Sequence, residues 1–109
     1  LGPVVVEPLP VAVRASETTE GRARIYQRYR TRDRASEHLR ALAADTISAR
    51  LGLPPTATPD AVVAAVATST GRRPDEVNAV LYGPPPEGDQ ELVSLGHRLA
   101  ALEQEVRRT

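Results

Sequence analysis

The stretch Ala67–Val77, ATSTGRRPDEV, is central to the fold because it contains signals that end one helix and begin the next. An apolar-spaced run ends at Gly71, two arginines follow, and Pro74 begins a second run with Asp75 and Glu76 beside it. Glycine commonly ends a helix, while proline and acidic residues favour the first turn of the next one. The stretch therefore predicts two helices joined by a tight corner, and it raises the question whether that corner reads DNA.

The window Val63–Tyr82 resembles a helix-turn-helix unit, whose small residue, turn glycine and buried aliphatic would be Ala67, Gly71 and Val77. Arg72, however, occupies a place that is normally apolar in this motif. The second helix would also open with two carboxylates, which would face phosphates at the end that contacts bases. We therefore expect a corner between packed helices, and nucleic-acid binding through it is the alternative.

Apolar spacing predicts helices on both sides of this corner. Upstream, Thr58 and Pro59 form a start signal for a helix that buries Val62, Val63 and Val66. Downstream, the last helix has the most regular stripe, at spacings of three, four, three and four: Leu92, Leu95, Leu99, Leu102 and Val106. We interpret this stripe as core-facing, and a stripe shared with a partner or a second copy of the chain is the alternative.

The first half of the chain predicts two further helices separated by a turn at residues 31–33. The first of them has Ile25, Tyr26 and Tyr29 on one face. The second places five residues near one stripe, with Ile47 beside it: Ala35, Leu39, Leu42, Thr46 and Leu51. A kinked continuation of a single helix is the alternative to the turn.

The N-terminal stretch LGPVVVEPLPVAVRA is rich in valine but interrupted by Pro3, Pro8 and Pro10. Because proline removes hydrogen-bond donors and disfavours helix in the preceding residue, this stretch is predicted to be an extended arm. We therefore expect an all-α fold, a small bundle of four to five helices formed by residues 16–109, behind a Pro-rich arm of residues 1–15.

Composition excludes several classes of activity. The 109 residues contain no cysteine, which excludes disulfides, thiolate nucleophiles and cysteine-ligated metal sites. Neither His38 nor His97 has an acidic residue or a second histidine three or four positions away, and no glycine-rich phosphate loop is present. We predict no enzymatic activity, no cofactor and no small-molecule substrate. The absence of methionine suggests a segment of a longer protein.

Three phrases together are similar to the C-terminal tail of an uncharacterised actinobacterial membrane-protein family: LGPVVVEPLPVAVRASETTEGRARIYQRYRTRDRASEHLR, RLGLPPTATPDAVVAAVATSTGRRPDEVNAVLYGPPP and LVSLGHRLAALEQEVRR. Members of this family combine a glutamine-amidotransferase-like part with a transmembrane helix that ends just before such a tail. The resemblance implies that Leu1 lies just inside the membrane and that the rest is cytosolic. It also implies genes beside a MoxR-type AAA+ ATPase and a von Willebrand A-like protein.

Charge is unevenly distributed although the formal net charge is zero, since residues 14–50 carry nine arginines against five acidic residues. Placed near a bilayer, four of these arginines become candidate contacts to anionic headgroups or to a partner: Arg14, Arg22, Arg24 and Arg28. We therefore expect a non-catalytic interaction domain on the cytoplasmic face of the membrane, which docks a partner of a MoxR-type AAA+ chaperone system. The alternatives are nucleic-acid binding at the corner and structural self-association through the last helix.

Overall fold

The computed structural model describes residues 18–108, which form four helices: α1 (Thr19–Arg50), α2 (Pro59–Thr70), α3 (Pro74–Tyr82) and α4 (Asp89–Arg108). This described part contains no strand, so the predicted all-α bundle is confirmed with four helices. The predicted arm of residues 1–15 lies outside the described residues. Contacts divide the chain between Thr31 and Arg32 into two units, which are described separately.

The core lies in the second unit and is built from aliphatic side chains of all four helices. Its buried residues are Ala43, Ile47, Val62, Val63, Val66, Val77, Val80, Leu81, Leu95, Leu99, Leu102 and Val106. The chain has no Phe, Trp or Met to fill a large gap. Because small aliphatic side chains stabilise a core only when they pack closely, the helices must be held in well-defined rotations.

The corner between α2 and α3 forms as its sequence predicts. The Thr58 hydroxyl accepts a hydrogen bond from the Ala61 amide at 3.2 Å and caps the start of α2. Gly71 ends α2 in the left-handed region with φ of 79°, and its amide donates to the Ala67 carbonyl. A side chain at Gly71 would meet no atom within 4 Å, so the backbone angle, and not space, requires glycine there.

The predicted turn at residues 31–33 is wrong, because α1 continues through it as one helix. No glycine or proline lies between Gly21 and Gly52 to stop a helix. Hydroxyl groups near this point also bond within the helix. Thr31 Oγ1 donates to the Gln27 carbonyl and Ser36 Oγ to the Asp33 carbonyl, both at 2.8 Å.

The predicted stripe of α1 is only partly buried. Leu39 is 37% exposed and Leu42 is 52% exposed, whereas Leu51 packs half-buried against the core and Ile47, predicted beside the stripe, is 1% exposed. The side chains that turn inward lie one residue further along than the predicted Ala35, Leu39, Leu42 and Thr46: they are Ser36, Arg40, Ala43 and Ile47. One residue corresponds to about 100° around a helix axis. The helix is therefore rotated by roughly a quarter turn from the predicted position, and arginine contacts explain why.

Candidate interaction surfaces

Arg40 of α1 holds the C-terminal end of α3. Its Nε donates to the Val80 carbonyl at 3.0 Å, and its Nη1 donates to the carbonyls of Gly83 at 2.7 Å and Pro84 at 3.2 Å. Nη2 lies 3.4 Å from the Ala79 carbonyl. Partial burial of the guanidinium lowers the pKa of Arg40 from its ordinary value. One guanidinium thus satisfies carbonyls that a helix end leaves without donors.

The local sequence explains why α3 needs a donor from elsewhere. Three prolines follow Gly83, and proline has no N–H with which to cap the preceding carbonyls. The chain leaves α3 so tightly that a Cβ atom on Gly83 would collide with the Ala79 carbonyl oxygen. Glycine at this position allows the carbonyl groups at the end of α3 to lie close together, where the guanidinium group of Arg40 contacts them.

Arg32 makes a second polar contact between α1 and the rest of the bundle. Its Nη1 lies 3.3 Å from Asp89 Oδ1 at the start of α4. The arginine side chain is 9% exposed, whereas that of Asp89 is 81% exposed. The carboxylate also lies in the first turn of α4, where negative charge is favourable. Two inward-facing arginines therefore fix the rotation of α1 in the second unit.

This rotation leaves an apolar surface on the outside of the second unit. We call it the Leu39–Leu42 face, and it consists of Ala35, Leu39, Leu42 and Thr46. Both leucines are exposed, Thr46 is exposed, and Ala35 is half-buried. The sequence identifies these residues as one stripe of a helix but does not indicate that the stripe is exposed, so the surface itself was missed.

The stripe of the last helix lies inside the domain. Leu95, Leu99, Leu102 and Val106 are at most 5% exposed, and Leu92 is half-buried. This placement matches the core-facing interpretation of the stripe. The four buried side chains therefore offer little accessible surface to a partner or a second copy.

The first unit carries three of the four arginines proposed for membrane or partner contact. Arg22, Arg24 and Arg28 are exposed on α1, while Arg14 lies outside the described residues. Arg24 forms an exposed pair with Glu20, with 3.7 Å between Nη2 and Oε2. Three apolar or aromatic side chains in the same unit are also exposed: Ile25, Tyr26 and Tyr29.

Both arginines of the α2–α3 corner lie beside carboxylates of this chain. Arg72 binds the two carboxylate oxygens of Glu105 through Nε and Nη2, and the Nε–Oε1 distance is 2.8 Å. This hydrogen bonding lowers the pKa of Glu105 and raises that of Arg72. Arg73 lies 4.0 Å from Asp75. The corner that resembles a helix-turn-helix turn is thus packed onto α4 and offers one exposed, already paired arginine.

Two open grooves lie on the described surface of the second unit. One, of about 330 Å³, lies between α1, the prolines after it and Tyr82, whose pKa is raised by burial and by nearby Asp45. The other, of about 280 Å³, lies between Arg40, Arg98 and the three prolines. His38 and His97 are exposed, and within residues 18–108 no three His, Asp or Glu side chains gather where they could hold a metal ion.

None of the four helices described is both long and apolar enough to cross a lipid bilayer. The chain is nevertheless similar to the uncharacterized membrane protein Rv3691 of Mycobacterium tuberculosis, with 42% identity over 106 residues. The match covers 97% of this chain but only 28% of the relative. No family model and no solved structure matches the chain. It is therefore related to an uncharacterised actinobacterial membrane protein, of which it spans about 28% of the length.

Proposed function

We propose that this domain is a non-catalytic interaction module of a larger membrane-anchored protein, lies on the cytoplasmic face, and docks a protein partner. The observation that carries the proposal is the rotation of α1, which turns Arg32 and Arg40 inward and leaves Leu39 and Leu42 outside. The contacts of Arg32 and Arg40 hold α1 in this rotation, so the burial energy of Leu39 and Leu42 is not gained within the domain. A surface kept apolar in this way is suited to contact with another protein.

The relative supports the membrane part of this proposal, because it is named as a membrane protein and extends well beyond the matched region. The proposed partner class is a MoxR-type AAA+ chaperone system, including its von Willebrand A-like protein, as the family resemblance implies. A glutamine-amidotransferase-like part elsewhere in the same protein belongs to the proposal for the same reason. The Leu39–Leu42 face would receive an apolar helix or strand of the partner.

Binding of the 109-residue chain to the purified ATPase and to the purified von Willebrand A-like protein tests this function. The informative variant combines Leu39→Gln with Leu42→Gln, since both side chains are exposed and their loss leaves the core intact. We expect binding to at least one of the two proteins and an approximately tenfold loss in the double variant, equivalent to about 1.4 kcal/mol.

The matched control is Val93→Gln, because Val93 is 57% exposed on α4 and lies outside the Leu39–Leu42 face. We expect this control to bind like the unaltered chain. Absence of binding to both purified proteins contradicts the partner class. Equal binding by the double variant and the control contradicts the assignment of the Leu39–Leu42 face.

The two alternative functions find less support in the described residues. Nucleic-acid binding at the α2–α3 corner would use Arg72 and Arg73, which lie beside Glu105 and Asp75. Self-association through the last helix would use leucines that are buried in the core. Neither alternative therefore has a specific observation that favours it over protein docking.

A further inference from the structure

The described residues of the first unit form a short helical segment with a strong positive charge. Residues 18–31 contain four arginines and one acidic residue, Glu20, which gives a net charge of +3. The helix begins at Thr19, and every side chain of residues 22–31 is exposed. We call residues 18–31 the Arg–Tyr segment.

Apolar and aromatic side chains share one side of this segment. At about 100° per residue, Ile25, Tyr29 and Tyr26 fall within roughly a third of the helix circumference. Their exposed fractions are 40%, 52% and 60%, respectively. Arg28 and Arg30 lie on either side of this group, and Arg22 lies on the same side as the group, one turn nearer the start of the helix. The guanidinium carbon of Arg30 is 5.6 Å from the centre of the Tyr26 ring, so a cation and an aromatic ring are presented together.

This combination matches the chemistry of an anionic lipid surface. Tyrosine has an apolar ring and a polar tip, which suits the boundary between headgroups and acyl chains. Arginine stems extend along apolar surface while their guanidinium groups reach phosphate oxygens. An amphipathic helix with basic residues flanking apolar ones binds in the plane of such an interface. Nucleic acid would also attract the arginines, but it offers no apolar layer for Ile25.

We propose that the Arg–Tyr segment lies on an anionic membrane surface. In this arrangement Ile25, Tyr26 and Tyr29 enter the headgroup boundary, and Arg24, Arg28 and Arg30 contact acidic headgroups. The inference goes beyond protein docking, because it uses residues of the first unit and none of the Leu39–Leu42 face. The similarity to a membrane protein is independent support, since a bilayer is then the nearest extended anionic surface.

Co-sedimentation of the 109-residue chain with two kinds of vesicle tests the charge requirement. One kind contains phosphatidylcholine alone, and the other contains phosphatidylcholine with phosphatidylglycerol. We expect at least about tenfold stronger partitioning onto the anionic vesicles at low salt, and a decrease as salt is added. Equal recovery with both kinds of vesicle overturns the proposal.

Two triple variants locate the binding site. The first removes three charges from the Arg–Tyr segment: Arg24→Gln, Arg28→Gln and Arg30→Gln. The control removes three charges from exposed positions of the second unit: Arg34→Gln, Arg50→Gln and Arg98→Gln. We expect about tenfold weaker binding to anionic vesicles from the first variant than from the control. A larger loss in the control overturns the assignment to the segment.

Fluorescence tests whether the aromatic side chains enter the interface. The chain contains no tryptophan, so Tyr26→Trp introduces a single reporter at the most exposed of the two segment tyrosines. We expect its emission to shift to shorter wavelength with anionic vesicles and to stay unchanged with neutral ones. The control is Tyr82→Trp in the second unit, for which no shift is expected. Equal shifts at both positions, or none at Tyr26→Trp, overturn the proposed insertion.

The outcomes distinguish this inference from the proposed docking function. The triple variant of the Arg–Tyr segment should keep its affinity for the purified protein partner, and the Leu39→Gln, Leu42→Gln variant should keep its affinity for anionic vesicles. A gel shift with duplex DNA at the same salt concentration tests the competing explanation, which is that the segment binds nucleic acid. Binding of DNA that the triple variant abolishes, together with equal recovery on both vesicles, would assign the segment to nucleic acid instead.

Discussion

Helices α4 and α1 bury their apolar residues by different rules, although both contribute to the same core in the second unit. In α4 the stripe that is visible in the sequence is the buried face, with Leu99 and Leu102 at most 3% exposed. In α1 the visible stripe is exposed, and the buried face lies one residue further along. The difference shows that apolar spacing predicts the rotation of a helix only when one stripe is clearly more apolar than the neighbouring stripes.

Either of two neighbouring stripes of α1 could face the core, and the free energies of burial and hydrogen bonding decide which one does. Turning Leu39 and Leu42 inward would gain at most about 1.5–3 kcal/mol each. The same rotation would expose Ile47, which is 1% exposed, and would remove Arg40 from the carbonyls of α3. Each hydrogen bond to a charged group contributes about 1.5–3 kcal/mol, and unpaired carbonyls add a further cost. The observed rotation is therefore favoured because several losses oppose the gain from two leucines.

The largest expected effect is a difference in the free energy of unfolding between two substitutions, one at a buried leucine of α4 and one at an exposed leucine of α1. Leu102→Ala should lower the free energy of unfolding by about 2–5 kcal/mol, because Leu102 is fully buried and its loss leaves a cavity. Leu42→Ala should change it by less than about 0.5 kcal/mol. Urea denaturation of both variants measures the difference. A comparable loss in Leu42→Ala would mean that the stripe visible in the α1 sequence is buried in solution.

The next effect tests whether arginine sets the rotation of α1. Arg40→Met keeps much of the apolar stem but removes the donors to the α3 carbonyls, so we expect a loss of about 1.5–3 kcal/mol in unfolding free energy. Arg34→Met is the control, since Arg34 is exposed on the same helix, and its effect should stay within about 0.5 kcal/mol. Equal effects of the two substitutions in urea denaturation would show that the hydrogen bonds of Arg40 do not set the rotation of α1.

Local signals made the α2–α3 corner and α4 predictable. Thr58, Pro59, Gly71 and Pro74 act on their immediate neighbours, and the structure places helix ends where these residues predict them. The four-helix architecture follows from the same signals. The predicted turn in α1 had no such local signal, because no glycine or proline lies between Gly21 and Gly52 to end a helix.

The rotation of α1 could not be predicted, because Arg40 bonds to carbonyls about forty positions away in the sequence. One sequence signal could have indicated the need for it: Gly83 is followed by three prolines, so α3 has no local donor at its end. The exposed arginines of the Arg–Tyr segment were identified from sequence. The Leu39–Leu42 face was missed, since its exposure results from the tertiary contacts of Arg32 and Arg40.

The smallest expected effect tests whether charged side chains set the rotation of α4 as they do that of α1. Arg72 holds the pKa of Glu105 below its ordinary value of 4.5 by hydrogen bonding, so the pair stabilises the fold fully above that pH. Its contribution is lost as pH falls through the lowered pKa. Both side chains are about a third exposed, and we discount the pair to about 0.5–1 kcal/mol.

Glu105→Gln should therefore be less stable than the unaltered chain by about 0.5–1 kcal/mol near neutral pH, and the two should converge in acid as Glu105 becomes protonated. Glu103→Gln, two positions earlier on α4, is the control and should change the free energy of unfolding near neutral pH by less than about 0.5 kcal/mol. Urea denaturation across a pH series measures both. If Glu105→Gln were instead to cost several kcal/mol, α4 would join α1 as a helix oriented by charge. The aliphatic stripe would then no longer account for its rotation alone.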